Sequence, residues 1–383
     1  MTVLIVGGGM AGLSAAYHLR DLGSRVRLVE RDNLGSERGS SFGDTRMYRE
    51  MYSDPFLCSR SRESNQLWAE IEARHGVRLR KEHGLLFYGE SWGEETIEGS
   101  ISGARQVMEE QGIPFEDLTA SAIQERFPIE AQEDFGGLFE PTAGAIWAAR
   151  ALSLFAREAR ASGVRIDEGS SVAHLEPLTD GGAMAVFGDG TRERYDRVVV
   201  AAGGWTPRLV RDFAVPLPIE AWAMLWAHYE VDPDLAHSFP QWFCFQRPRS
   251  HDGGLYYGFP VVAETGTPVI KAGIDWAPPS MRAARFEELP REPDPRSVEH
   301  LDAFMHQRLR GVGARVETRL SPYAMTPDVQ FILDEVSPGI AVFSGGSGQA
   351  FKFAPLIGSL LADLVRGVAP RCDIGPWRAR RFS

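Results

Sequence analysis

Cysteine is scarce in this chain of 383 residues, with only Cys58, Cys244 and Cys372 present. No C-x-x-C occurs and no cysteine and histidine cluster has metal-ligand spacing, so a thiol redox pair and a zinc centre are excluded as organising features. So few thiols suit a reducing compartment, and a cytoplasmic protein is expected. No apolar run approaches the ~18 residues that a membrane-spanning helix needs, so no membrane partner is expected. An excess of basic residues is lacking too: 41 Lys and Arg stand against 52 Asp and Glu, a formal net charge of -11. Without a phosphate-neutralising surplus, nucleic acid is excluded as a partner. The short basic tail Arg378-Ala-Arg-Arg381 reads as a solvated end. There is no internal repeat and no low-complexity segment. The first strand begins at residue 2, so no signal peptide is expected.

What remains is an ordinary globular composition, 43% hydrophobic and 24% charged, long enough for a large core and two domains. The chain is organised around its start. Val3 to Val6 read as a strand buried on both faces, and Gly7, Gly9 and Gly12 then fit G-x-G-x-x-G before an apolar helix over Leu13 to Arg20. Gly7 permits a tight turn, Gly9 lets the backbone approach a pyrophosphate, and Gly12 lets helix and strand pack closely. The unpaired N–H groups of the helix N-terminus would face the phosphates. A second strand, Val26 to Val29, ends in Glu30, 18 residues past Gly12, where a carboxylate can accept hydrogen bonds from a ribose diol. Strand, glycines, helix, strand and acid in this order predict a dinucleotide site.

Further along, Gly35 to Gly43 reads as loop and Asp54 to Arg74 as helix. Gly84 to Tyr88 reads as strand, Glu94 to Phe127 as helices, Ala148 to Ser162 as helix and Gly163 to Ile166 as strand. Val198 to Ala201 reads as a buried strand that runs into small residues. Ala221 to Asp275 is strand-like and aromatic, with Gly253-Gly254 as a hairpin turn. Pro278 to Pro295 reads as loop, Val298 to Arg310 as helix, Ile340 to Phe343 as strand, and Ala354 to Val365 as a helix behind a second glycine loop. Nucleotide-type elements thus alternate with aromatic, strand-rich blocks. The expectation is an α/β protein. A Rossmann-type domain over 1–82, 145–216 and 318–383 is interleaved with a smaller α+β domain over 83–144 and 217–317, built on a mostly antiparallel sheet. The active site is expected between them.

Four segments carry a resemblance to a known family: Gly39-Ser-Ser-Phe-Gly-Asp-Thr-Arg-Met-Tyr-Arg49, Ala202-Gly-Gly-Trp-Thr206, Tyr256-Tyr-Gly-Phe-Pro260 with Lys271-Ala-Gly273, and Gly348-Gln-Ala-Phe-Lys-Phe353. In type and order they resemble the monomeric sarcosine oxidase and N-methyltryptophan oxidase family, within the D-amino-acid-oxidase-like flavoenzymes. The resemblance spans nearly the whole chain and implies FAD rather than NAD. It implies oxidation of a C–H beside an amine to an imine, O2 as electron acceptor, and a monomer or small homo-oligomer. The implied cofactor-binding set is Gly7, Gly9, Met10, Ala11, Gly12, Glu30, Arg31, Ser41, Thr45, Arg46, Val172, Gly203, Trp205, Gly346, Gly348, Phe351 and Lys352. An FAD-dependent dehydrogenase or 2-hydroxy-acid oxidase of the same fold, or a non-catalytic flavoprotein subunit, is the alternative.

By the same resemblance Arg49 and Lys352 grip a substrate carboxylate, a task that suits a planar guanidinium and a point charge. Lys271 is matched to the lysine that assists reaction with oxygen, and Arg46 to an arginine beside the flavin. Tyr52, Tyr257 and Tyr323 are matched to pocket aromatics. Trp205 reads as packing beside the cofactor. Trp222, Trp226, Trp242, Phe243 and Phe245 read as core residues that could line a pocket. Three departures from the family pattern matter. Ser321 stands where relatives link a cysteine to the flavin, and Cys372 is too near the C-terminus to replace it, so the FAD is expected to be non-covalent. Asp275 stands where sarcosine oxidases have a histidine, either holding an amine or simply exposed, and Phe42 replaces another histidine. These departures imply a substrate bulkier than sarcosine.

Overall fold

The computed structural model describes residues 1–383 apart from 91, 94–95, 214, 248–252 and 262–266. Its first sheet has the order Ile332–Ser337, Ile340–Ser344, Arg197–Val200, Val3–Val6, Val26–Val29 and Arg165–Asp167. Only the outermost strand, Ile332–Ser337, runs antiparallel. Val3–Val6 lies at the centre because all four residues are apolar and can be covered on both faces. The Met10–His18 helix packs against the Ala354–Arg366 and Ala148–Ala161 helices on one face. A small antiparallel sheet, Val172–Pro177, Ala183–Phe187 and Arg192–Tyr195, supplies Leu175, Ala185 and Tyr195 to the core of the other face.

The second large sheet has nine strands and is mostly antiparallel. The long strand Glu220–Val231 pairs with both Val269–Ile274 and Val312–Met325, and the sheet continues through Leu255–Phe259, Gln241–Phe245 and Leu85–Gly89. Leu85–Gly89 and Gln241–Phe245 run parallel, because distant parts of the chain supply them. One sheet face carries Phe243, Tyr257, Phe259 and Trp226 toward the first domain's side, and the other packs Trp242, Tyr256 and Phe304 into a separate core. The Val312–Met325 strand runs across the 317/318 position expected to divide the domains and pairs with Glu220–Val231 from end to end, so residues on both sides of that position belong to the second sheet.

Most expected elements form within a few residues of their predicted ends. The first helix starts earlier, at Met10, because the glycine turn itself is its cap. The Glu94–Phe127 stretch differs more, and its first two residues lie outside the described ones. Thr96 to Gly99 form a turn, the helices span Ile101–Gln111 and Ala120–Arg126, and a strand, Glu116–Thr119, separates them. Pro114 prevents one continuous helix there. Gly253 and Gly254, at φ 56° and 73°, sit in the connection between the paired strands Gln241–Phe245 and Leu255–Phe259. The intervening residues 248–252 lie outside the described ones. Among the described residues, no helix is long and apolar enough to cross a membrane.

Candidate active site

A cavity of about 640 Å³ opens between the parallel sheet and the antiparallel one. Its first wall is the glycine turn. Gly7 has φ 108°, and a Cβ there would lie 2.4 Å from the Ala201 carbonyl oxygen. A Cβ on Gly12 would lie 1.9 Å from the Gly7 oxygen, so Gly12 sits behind the wall and lets helix and turn close up. The helix N-terminus has no side-chain cap, and Met10 N–H donates to Ser41 Oγ at 3.0 Å. Glu30 is fixed by the Gly8 and Asp32 N–H groups at 2.6 and 2.9 Å, which leaves carboxylate lone pairs for a diol.

Met10, Ala11, Arg31, Ser41, Thr45, Val172, Gly203, Trp205, Gly346, Gly348 and Phe351 all line the same cavity. Uncapped helix N–H groups, a carboxylate beside the turn, and backbone too close for side chains together fit a dinucleotide. Arg46 also lines the wall, its guanidinium donating to the carbonyls of Thr45, Ser40 and Phe42 at 2.8, 2.8 and 2.5 Å. That bonding folds the 39–43 loop against the strand Thr45–Tyr48.

A second stretch of wall is charged, its side chains buried or half-buried. Lys271, Lys352, Glu98, Asp275, Tyr257 and Tyr323 line it. Burial, then the neighbouring Arg49, lowers Lys352 to about 7, against the pull of Glu98 and Asp275. Burial, then Arg46, lowers Lys271 to about 7. Asp275, 7% exposed, is pushed well above the carboxylate range by burial, then by the Glu98 charge, which favours its neutral form. The same placement removes the expectation of an exposed Asp275. Burial also raises the Tyr257 and Tyr323 phenols, which therefore stay protonated.

Arg49 is placed differently from expectation. It is 1% exposed and absent from the cavity wall, caged by the rings of Tyr52, Phe87 and Phe243 at 4.3, 5.3 and 5.1 Å. Its Nη2 forms an ion pair with Glu98, the residue that does reach the cavity. A guanidinium this deep needs a carboxylate, and the Thr96–Gly99 turn delivers one. Lys352 thus stands at the cavity wall and Arg49 behind it, paired with Glu98. Of the five aromatics that could line a pocket, Trp226 and Phe243 do, whereas Trp222, Trp242 and Phe245 pack in cores.

Glu98 and Gln349 are the residues that sequence reasoning missed. Gln349 is 4% exposed, lines the cavity, and leaves its Oε1 without a hydrogen-bond partner. Composition held one further signal: lysine occurs three times among 41 basic residues, at Lys81, Lys271 and Lys352. Two of those three line the cavity. A chain that uses arginine almost everywhere else places its lysines where a titratable point charge is useful.

The parallel sheet, the glycine turn and the cavity beside them define a dinucleotide-binding α/β protein with a titratable wall facing the same cavity. Residues 2–364 match the family described as FAD dependent oxidoreductase (DAO). Peroxisomal sarcosine oxidase of Homo sapiens is 29% identical over 396 residues, covering 99% of this chain and 95% of that one. N-methyl-L-tryptophan oxidase of Salmonella agona is 26% identical over 397 residues, covering 100% and 99%. The solved structure of NikD, titled an unusual amino acid oxidase essential for nikkomycin biosynthesis, superposes with a TM-score of 0.89 at 28% identity, covering 98% and 96%. The chain belongs to the FAD-dependent oxidoreductase family and is an enzyme that uses FAD.

Proposed function

We propose that the enzyme is an oxidase of a carboxylate-bearing amine, a secondary or cyclic amino acid bulkier than sarcosine. Its FAD is held without a covalent bond. Bound FAD supplies the redox chemistry, taking a hydride from the C–H beside the nitrogen to leave an imine and passing the electrons to O2 as hydrogen peroxide. The observation that carries the reading is the charge balance of the buried wall. Arg49 is offset by Glu98, burial favours the neutral form of Asp275, and Lys352, lowered to about 7, can take a positive charge that an incoming carboxylate would favour. One net positive charge matches the anionic form of an amino acid, with its amine neutral, better than a zwitterion or a simple ammonium. That form also has the free nitrogen lone pair that imine formation requires. Asp275 offers the nitrogen a hydrogen bond without a competing charge, and Tyr257 and Tyr323 close the wall with protonated phenols. Lys271 is assigned to the oxygen half of the reaction, where a cation stabilises negative charge developing on O2.

Ser321 supports non-covalent binding, because its hydroxyl is a far weaker nucleophile than a thiolate and donor bonding already engages its oxygen with the Trp226 indole at 2.9 Å. The test is anaerobic bleaching of the holoenzyme with N-methyl, cyclic and primary amino acids beside 2-hydroxy acids and decarboxylated amines. Carboxylate-bearing amines should bleach the flavin and then release peroxide in air. Lys352→Ala should weaken a simple carboxylate inhibitor by ~2–5 kcal/mol while FAD stays bound. Faster bleaching by amines without a carboxylate, or by 2-hydroxy acids, would overturn the assignment.

A further inference from the structure

Lys271 is held in an unusual way. Its ammonium lines the cavity, yet among the described residues no carboxylate lies within ion-pair distance of it. What it does meet are two ring faces, Trp226 at 4.3 Å and Phe259 at 5.3 Å from Nζ to ring centroid. The register explains the cage. Lys271 pairs with Phe259 on one side and with His228 on the other, and Trp226 is two residues before His228 on the same face of its strand. The indole is fixed at its far edge, where Nε1 donates to Ser321 Oγ at 2.9 Å. Ser321 comes from the next strand, paired opposite Met224.

We propose that the Trp226 indole, tethered by Ser321, positions the Lys271 side chain and holds it as a cation on the cavity wall, and so sets the pH range of the oxygen half-reaction. This rests on the assignment of Lys271 made above. A cation over an indole face gains electrostatic attraction that grows as water is excluded, and Lys271 is half-buried on this wall. The remaining charges around it do not replace that support. Arg46 repels the ammonium, and Asp44 attracts it more weakly than Arg46 repels it. His228, opposite Lys271, is engaged at 2.9 Å with Glu317, which Arg319 binds at 2.6 Å. Burial lowers Lys271 to about 7, so a modest change in ring support moves its charge across the neutral range.

With three lysines in the chain, lysine-selective ¹³Cε labelling gives a spectrum assignable by Lys81→Arg and Lys352→Arg. In the holoenzyme the Lys271 signal should titrate near pH 7. Trp226→Leu should move that midpoint down by about one unit, the size of a desolvated cation–π contact. Trp226→Phe should retain most of it, Ser321→Ala should fall between, and Lys352 should not move. In stopped flow, reoxidation by O2 at pH 7 should slow by about fivefold in Trp226→Leu, approach about tenfold above pH 8, and converge on wild type toward pH 5. An unmoved Lys271 midpoint, or a rate loss equal at every pH, overturns the inference. Should Trp226→Leu fail to fold, Trp226→Phe and Ser321→Ala decide by the same two readouts. Lys271→Met separates the levels. Reoxidation as fast as wild type sinks the Lys271 assignment itself, whereas slow reoxidation with an unmoved midpoint in the Trp226 variants sinks only the role of the indole.

Discussion

Arg49 and Glu98 show how one residue's burial dictates another's presence. A guanidinium 1% exposed among three rings has its buried charge compensated by the carboxylate on the Thr96–Gly99 turn. Replacing Glu98 alone should therefore cost more than removing both charges. Glu98→Gln should lose ~3–5 kcal/mol of holoenzyme stability in chemical denaturation, and the Arg49→Met/Glu98→Met pair should recover a large part of it. A double variant no better than the single would show that the pair is replaceable by water in the cavity. Arg49 itself was legible because it sits in a dense motif with Thr45 and Arg46. Glu98 was not, because nothing within a few residues of it forms a pattern and the surrounding stretch reads as helix. Its role comes from a contact across 49 positions of sequence. Lys271 and Lys352 were legible from motif and could also have been found from lysine scarcity alone.

Among elements, the best-read are those whose local chemistry and global place agree. Val3–Val6 is an apolar run buried on both faces, and Val26–Val29 and Ile340–Ser344 depart from that only at half-buried Arg27 and at Ser344, so a short sequence window contains most of the reason for each strand. The small sheet of Val172–Pro177, Ala183–Phe187 and Arg192–Tyr195 escaped, because its strands are short and largely solvent-facing on one side. How elements are tied was not legible either. Glu140, at the end of the Gly136–Glu140 strand, is 1% exposed and accepts the Glu50 and Met51 N–H groups at 2.9 Å, which pins the chain just after Arg49. Burial raises it to about 7, against those backbone bonds and Arg49, with Glu50 adding to the rise. An acid whose folded value exceeds its unfolded one binds its proton more tightly when folded, so stability falls as pH rises from about 4.5 to 7. Glu140→Gln imitates the protonated form. Its melting temperature relative to wild type should therefore rise by a few degrees between pH 5 and pH 8. A difference that stays constant across that range would mean that Glu140 is ionised throughout.

At the scale of the whole molecule, the cavity exists because chain segments far apart in sequence close it from several sides. The alternation of glycine-rich and aromatic blocks made a site between two sheets readable. The way the sheets are latched was not, because the Pro278–Pro295 stretch carries only loop signals. In that stretch one short turn, Pro279–Met281, packs Met281 with Trp222 and Met325 of the second sheet, and another, Phe286–Glu288, meets Gly204 and Trp205 at the cavity. The Phe286 ring fills the space that a Cβ on Gly204 would need, 1.8 Å away, and packs on Trp205 with centroids 4.9 Å apart. Glu287 accepts the Trp205 indole N–H at 2.7 Å, and Arg31 lies 4.4 Å from that ring's centroid. Gly203, Trp205 and Arg31 all line the cavity, so the latch holds wall residues rather than surface ones. Phe286→Ala should leave a void that costs ~2–4 kcal/mol, and part of that cost should appear as cofactor loss. We expect the FAD Kd, measured by titrating apoenzyme and following flavin fluorescence, to rise by about tenfold or more. Substrate bleaching of enzyme kept saturated with FAD should change far less. Gly204→Ala, whose methyl would collide with the same ring, should reproduce the loss of FAD affinity without altering Phe286. If both variants melt earlier yet bind FAD as tightly as wild type, the latch serves the fold and not the cofactor wall.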